Sequence, residues 1–145
     1  MTQHRLALTV AQSTTLVTVD TARAVLGMDN DSVTALCESG SIQYAFDLRS
    51  NTADRREVRI WAESLESYLR GIRIETDDAS ALESIVGHAT CEWVACSRVT
   101  QRFCVHRRSV DRWAKAGDVV GVVTGHTLQI RRASLIPFLQ SRRIR

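Results

Sequence analysis

Apolar residues in the first half of the chain recur at helical spacing in two short runs. Val19, Ala22, Val25 and Leu26 form one face, and Thr18 before them suits a helix N-cap. Gly27 supplies a turn, and Asp29 is placed to cap a second helix from Asn30 to Ser39, with Val33, Leu36 and Cys37 inward. Gly40 falls where a helix end wants a left-handed residue. Leu16-Val17 predicts a short strand, and Ile42, Tyr44 and Phe46 alternate as another. A polar, turn-rich stretch from Asp47 to Arg56 leads to a return strand, Val58 to Ile60. Ala62 to Leu69 reads as a third helix closed by Gly71.

The same rhythm returns further along. Cys96 to Phe103 is a helix with Ser97 near its cap, Cys104-Val105-His106 a turn, and Arg107 to Ala116 a second helix. Val119 to Val123 and Leu128 to Ile130 are strands about a tight tip at Thr124-Gly125-His126. Ser134 to Gln140 is the last helix, with Pro137 in its first turn, where a missing N–H is harmless.

These runs are copies. Ser32-Val33 through Gly40-Ser41-Ile42 is matched 77 residues later by Ser109-Val110 through Gly117-Asp118-Val119. Val58-Arg59-Ile60, Ser64-Leu65 and Tyr68-Leu69 are matched 70 residues later by Leu128-Gln129-Ile130, Ser134-Leu135 and Phe138-Leu139. The second copy is therefore seven residues shorter between the matches, and a surface connection is what tolerates such a change. Between the copies, Asp77 or Asp78 can cap a helix with Ala81, Leu82, Ile85 and Val86 on one face. This segment lacks Gly/Ser or Pro richness, so it predicts a structured connector. The expected plan is α+β, mainly α: an arm at 1–15, a first unit at 16–71, a connector at 72–92, a second unit at 93–141 and a basic tail at 142–145 carrying Arg142, Arg143 and Arg145.

Charge sharpens this plan. The net +3 hides an asymmetry: residues 98–145 carry eleven basic residues against two acids, net +9, and residues 1–97 are net −6. Eighteen of the nineteen basic side chains are arginine, whose planar fork pairs with phosphate and with guanine edges. Such a half points to a polyanion, although a solvated basic face has the same composition. No apolar run is long enough to span a bilayer, and Met1 to Val10 has no signal-peptide pattern, so a cytoplasmic address with free thiols is expected.

Each unit resembles the MerR/excisionase type of winged helix-turn-helix. The second carries the closer likeness, in Phe103-Cys104-Val105, Ser109-Val110-Asp111-Arg112-Trp113, Gly117 and the stretch Leu128 to Leu139. The first carries it in Val25-Leu26-Gly27-Met28, Ser32-Val33, Leu36, Gly40 and Val58-Arg59-Ile60. The resemblance covers about two-thirds of the chain. It implies two tandem winged helix-turn-helix modules that bind double-stranded DNA, with a helix in the major groove and a wing near the backbone. The first unit departs from the pattern, because its presumed recognition helix carries Asp29, Asp31 and Glu38 and no basic residue.

With Val110, Trp113 and Ala114 inward, Arg108, Asp111, Arg112 and Lys115 face outward. Arg108, Ser109 and Arg112 are the expected base contacts, and Arg107, Lys115, Arg131 and Arg132 the expected phosphate anchors. In the first unit Asn30 and Ser32, with Thr34, would read bases, and Arg49, Arg55, Arg56 and Arg59 on the wing would hold the backbone. The alternative for that unit is dimerisation or docking of a partner protein.

No catalytic constellation stands out, so an enzyme is not expected, nor a cofactor. His88, Cys91, Cys96 and Cys104 are spaced unlike the usual zinc pairs, and buried thiols are the expectation. Trp61, Trp93 and Trp113 are assigned to the core, with Trp61 also a candidate for a position between modules. The leading expectation is a repressor or transcription regulator of phage or mobile-element type, nucleoid-associated and monomeric or homodimeric. A directionality factor working with an integrase is a second expectation, and a winged-helix adaptor without DNA binding a third.

Overall fold

The computed structural model describes residues 15–49, 55–87 and 91–144. Residues 1–14 of the expected N-terminal arm, the middle of the first long loop, His88 and Arg145 lie outside the described residues. The chain order is β1 (Leu16–Thr18), α1 (Val19–Leu26), α2 (Asn30–Glu38), β2 (Ala45–Asp47), β3 (Val58–Trp61), α3 (Ala62–Leu69), α4 (Asp78–Val86), β4 (Trp93–Ala95), α5 (Cys96–Phe103), α6 (Arg107–Ala116), β5 (Gly121–Thr124), β6 (Thr127–Arg131) and α7 (Arg132–Arg142). The architecture is α+β, with two antiparallel three-stranded sheets ordered β1-β3-β2 and β4-β6-β5.

The repeat extends to strand register. Leu16 faces Trp61 and Val17 faces Ile60, and the residues 77 and 70 positions on, Trp93 with Arg131 and Val94 with Ile130, pair in the same way. Ala45 and Gly121 occupy equivalent places opposite Ile60 and Ile130. The seven-residue difference thus divides into one residue before the hairpin and six within it. Both halves stop their second helix with a glycine at φ 81°, Gly40 and Gly117. Both turn from first to second helix through a left-handed residue, Gly27 at φ 67° and Cys104 at φ 55°. Cys104 is the one non-glycine at positive φ among the described residues. A Cβ is disfavoured in that conformation. Cys104→Gly is therefore expected to raise stability by about 1 kcal/mol, read as an upward shift in Tm.

Caps set several helix starts. Oγ1 of Thr18 accepts from the Thr21 N–H, Asp29 from the Ser32 N–H and Asp77 from the Ser80 N–H. In Asp29 and Asp77 the capped backbone N–H, then the serine side chain, holds the carboxyl below its usual range. The folded state prefers the ionised carboxylate, so these caps support α2 and α4 above the unfolded pKa of about 4. Their support is lost as pH falls through the depressed folded values. Circular dichroism should show acid fraying that Asp29→Asn and Asp77→Asn reduce.

The two sheets differ in what covers them. One face of the first sheet, with Val17, Ala45, Val58 and Ile60, packs on α1, α2 and α3 around Val25, Val33, Cys37 and Leu65. The other face presents Leu16, Tyr44, Phe46, Leu48 and Trp61, and these join one buried cluster with α4 and the helices of the second unit. The alternating strand expected from Ile42 to Phe46 is instead a strand at Ala45–Asp47, and Tyr44, Ala45 and Phe46 are buried in succession because both faces are covered. Polar contacts cross the same junction. Trp113 Nε1 donates to the Leu48 carbonyl at 3.0 Å, and Arg59 Nε donates to the Cys104 carbonyl at 2.8 Å.

The expected basic tail is instead a strap. Arg142 ends α7, pairs with Asp118 at 3.2 Å and donates to the Arg49 carbonyl. Arg143 donates to the Gln43 carbonyl, pairs with Asp78 and lies over the Tyr44 ring at 4.1 Å. The Ile144 N–H donates to the Ala45 carbonyl, and the side chain is buried in the first unit's core. Three smaller expectations also change. The α5 cap position is Ala95, with no side-chain hydrogen bond, so Ser97 does not cap it. The α7 helix starts at Arg132, straight out of β6, which puts Pro137 inside the helix and beyond its first turn. β5 starts at Gly121, two residues later than expected.

Candidate nucleic-acid interface

The α6 helix is amphipathic and lies at the surface, with Val110 and Trp113 buried and Arg107, Arg108, Arg112 and Lys115 exposed. Arg108, Arg112 and Lys115 sit at i, i+4 and i+7, which aligns them along one face. No hydrogen bond or ion pair to these four cations occurs among the described residues. His106 stands at the N-cap without a side-chain bond, so the positive end of the helix dipole is open beside Arg107 and Arg108. The C-terminal half of α6 rests on the β5–β6 hairpin. A Cβ built on Gly121 would meet the Ala114 Cβ at 3.0 Å and Leu128 Cδ1 at 3.2 Å. Gly121→Val is therefore expected to cost about 1–3 kcal/mol in stability by prising the hairpin from the helix, measurable by chemical denaturation.

The hairpin itself is open to solvent along β5 and through Gly125 and His126. Between its tip and the starts of α5 and α6 lies a cleft of about 230 Å³, lined by Ser97, Thr100, Arg107, His126 and Thr127 with Cys96 and Leu128 at its base. Sequence reasoning did not include Ser97, Thr100, His126 or Thr127 as contacts. The signal for His126 was its place at the hairpin tip. Arg98 was also missed: with Cys96, Val99 and Phe103 inward on α5, Arg98 is left exposed on the same half of the molecule.

The other expected contacts divide. Arg131 is half exposed and pairs with Glu92 at 2.9 Å. Ser109 is half-buried, with its hydroxyl 3.5 Å from Glu57 Oε1 across the junction. Arg132 is corrected as a phosphate anchor. Its guanidinium is turned inward to the Gly87 carbonyl and Glu83, where it ties α7 to the end of α4. Arg59 is corrected in the same way, because strand alternation aims it with Trp61 at the second unit, onto the Cys104 carbonyl, the Val58 carbonyl and Glu57.

In the first unit, Asn30 and Ser32 are exposed on α2, and the Asn30 side chain accepts from Arg23 at 3.4 Å. Arg56 bridges Glu38 of α2 at 3.0 Å and Asp47 at 3.5 Å. Arg49 pairs with Asp47 at 3.2 Å, while its carbonyl is held by Arg142. Arg55 is exposed. The equivalent helices therefore carry opposite electrostatics. α2 presents Asp29, Asp31 and Glu38, and α6 presents cations that are unpaired among the described residues.

The thiols are all free. Cys37 and Cys96 are buried, and burial pushes the Cys37 thiol up to about 11. Cys91 is exposed and Cys104 half-buried, which corrects the expectation of burial for both. Cys104 stands in the left-handed turn that Gly27 occupies in the first copy, and its carbonyl, not its thiol, serves the core. Trp61 lies in the cluster between the units, edge-on to Tyr44 at 5.4 Å, whereas Trp93 is only half-buried. No group of three metal-capable side chains occurs among the described residues, and no helix among them is long and apolar enough to cross a membrane. Comparison with protein-family models, curated proteins and solved structures gives no match for this chain.

Proposed function

We propose that this chain is a sequence-specific double-stranded DNA-binding protein built from two tandem winged helix-turn-helix modules, without enzymatic activity. In this reading it is a repressor or transcription regulator of phage or mobile-element type, acting on the nucleoid in the cytoplasm. α6 enters the major groove. Arg108 and Arg112 address base edges, with guanine the favoured partner. Arg107, Lys115 and Arg131 hold phosphates, and the β5–β6 hairpin lies against the neighbouring backbone as the wing.

The observation that carries this reading is the row of exposed α6 cations without an acid partner among the described residues, beside an uncapped helix start and an open hairpin. Unpaired guanidiniums held on a rigid helix are a ready phosphate and base-edge surface. The first unit supports that helix more than it reads sequence. Its long loop begins against Trp113, Arg59 is committed internally, and Arg56 is paired across to α2. Within it, the exposed Arg55 lies nearest to a role on the backbone.

Selection of bound duplexes from a random library, followed by footprinting, tests this. A single non-palindromic motif protected over about one turn of duplex is the expected result. A recruiting or directionality role with an integrase would appear as DNA bending at the same motif. The acidic surface of α2, with Asp29, Asp31 and Glu38 exposed, favours a second reading in which the first unit docks a basic partner protein. Failure to recover any enriched duplex would leave that adaptor reading standing and reject DNA binding.

A further inference from the structure

Inside one molecule, the helical face of the second unit covers the sheet of the first. The covering residues include Val105, Trp113 and Phe138, which are 8%, 0% and 3% exposed, together with Arg142 at the end of α7. The covered sheet residues include Leu16, Tyr44 and Phe46. Because the halves repeat, each surface has a second copy, and among the described residues no equivalent layer covers it.

The first unit's counterparts of Val105, Trp113, Phe138 and Arg142 are Met28, Leu36, Tyr68 and Ile72. Met28 is 36% exposed, Ile72 53% exposed, and Leu36 and Tyr68 are only partly buried. On the second sheet, the counterparts of Tyr44 and Phe46 are Val120 and Val122, 46% and 40% exposed, and the counterpart of Leu16 is the half-buried Trp93. Large exposed apolar side chains are otherwise few. Among the described residues only Val123, on the same hairpin, joins these four.

We infer that the second unit's sheet docks the first unit's helical face of another copy of this chain, head to tail, by repeating the contact already made within the molecule. Charge selects this occupant and this polarity. The first 97 residues are net −6 and the remainder net +9, so head-to-tail contact joins opposite charges while either symmetric arrangement joins like ones. A single heterologous contact leaves one face of each kind unused, so it adds further copies into a chain or a ring. The docking face includes Arg131 and the β5–β6 hairpin, which the proposed function lays on duplex, so self-association and duplex compete for it and the test uses the chain free of DNA.

Sedimentation velocity on the free full-length chain tests it. The wild type should grow past dimer as concentration rises over about a hundredfold range. Val122→Glu blocks one end and Ile72→Glu the other. Both positions are solvent-exposed, and each variant alone should run as a monomer. An equimolar mixture of the two should give a dimer and nothing larger, because each supplies the end the other lacks. A wild type that stays monomeric, a closed dimer that neither variant breaks, or a mixture without dimer would overturn the inference. So would a monomeric wild type whose Tm falls with Val122→Glu, since that would mean the chain covers this face itself.

Discussion

Alanine at Arg108 or Arg112 is expected to weaken binding to the selected duplex by about 1–3 kcal/mol each, roughly 5- to 150-fold in Kd. Each change removes a charged fork from the exposed line of α6 and leaves the buried line, Val110 and Trp113, intact. Stability should hardly move, because neither guanidinium has a partner among the described residues to lose. The loss at Arg108 and Arg112 should also relax the preference at particular base pairs. Lys115→Ala should weaken all duplexes alike, as a phosphate contact does. Fluorescence anisotropy against the selected site and a scrambled one separates the two behaviours. Equal affinities for wild type and both arginine variants would remove α6 from the interface.

Trp113→Ala is expected to cost about 3–5 kcal/mol of folding free energy, the range for a large aromatic removed from a packed core. The side chain is fully buried, packs against Phe138 with ring centroids 4.7 Å apart and the planes tilted by 42°, and donates its indole N–H to the Leu48 carbonyl of the other unit. The change therefore empties the centre of the junction and strips a buried carbonyl of its donor. Both units should lose stability together. Denaturation of the wild type should be a single transition seen alike by far-ultraviolet dichroism and tryptophan fluorescence. If the variant melts the second unit while the first keeps its midpoint, the units are independent and the shared core does not couple them.

Much of the fold was legible in the sequence because its signals are local. Thr18, Gly27, Asp29, Gly40 and Asp77 each act within a few residues of their own position, and the helix limits followed from them. The repeat was legible because Ser32-Val33 and Ser109-Val110 hold the same place in equivalent helices. What escaped was everything set by the other half of the chain. Tyr44 and Phe46 looked like one side of an alternating strand until a second layer covered them. Arg142 and Arg143 read as a basic tail, yet Asp118, Asp78 and the Gln43 carbonyl lie in range only after folding.

The candidate site divides along the same line. The outward α6 cations followed from helical period alone. Arg59 and Arg132 look like interface arginines in sequence, but their acceptors, the Cys104 and Gly87 carbonyls, lie 45 residues away. Composition gives no sign of such a pairing. The contrast between α2 and α6 was visible in their charges. The reason it matters is structural: Arg56 and Glu38 satisfy each other on the first unit, while Arg108 and Arg112 on the second have no ion-pair partner among the described residues.

The most direct test of α6 as the reading surface is the salt dependence of duplex affinity. Log Kd against log salt should be linear and steep for the wild type, with a slope that counts the phosphates neutralised. Replacing Arg107, Arg108, Arg112 and Lys115 together by glutamine should flatten that slope by about 2, from the phosphate contacts of Arg107 and Lys115, while leaving the thermal midpoint in place. A wild type without measurable duplex affinity at low salt, or a quadruple variant with an unchanged slope, would contradict the account.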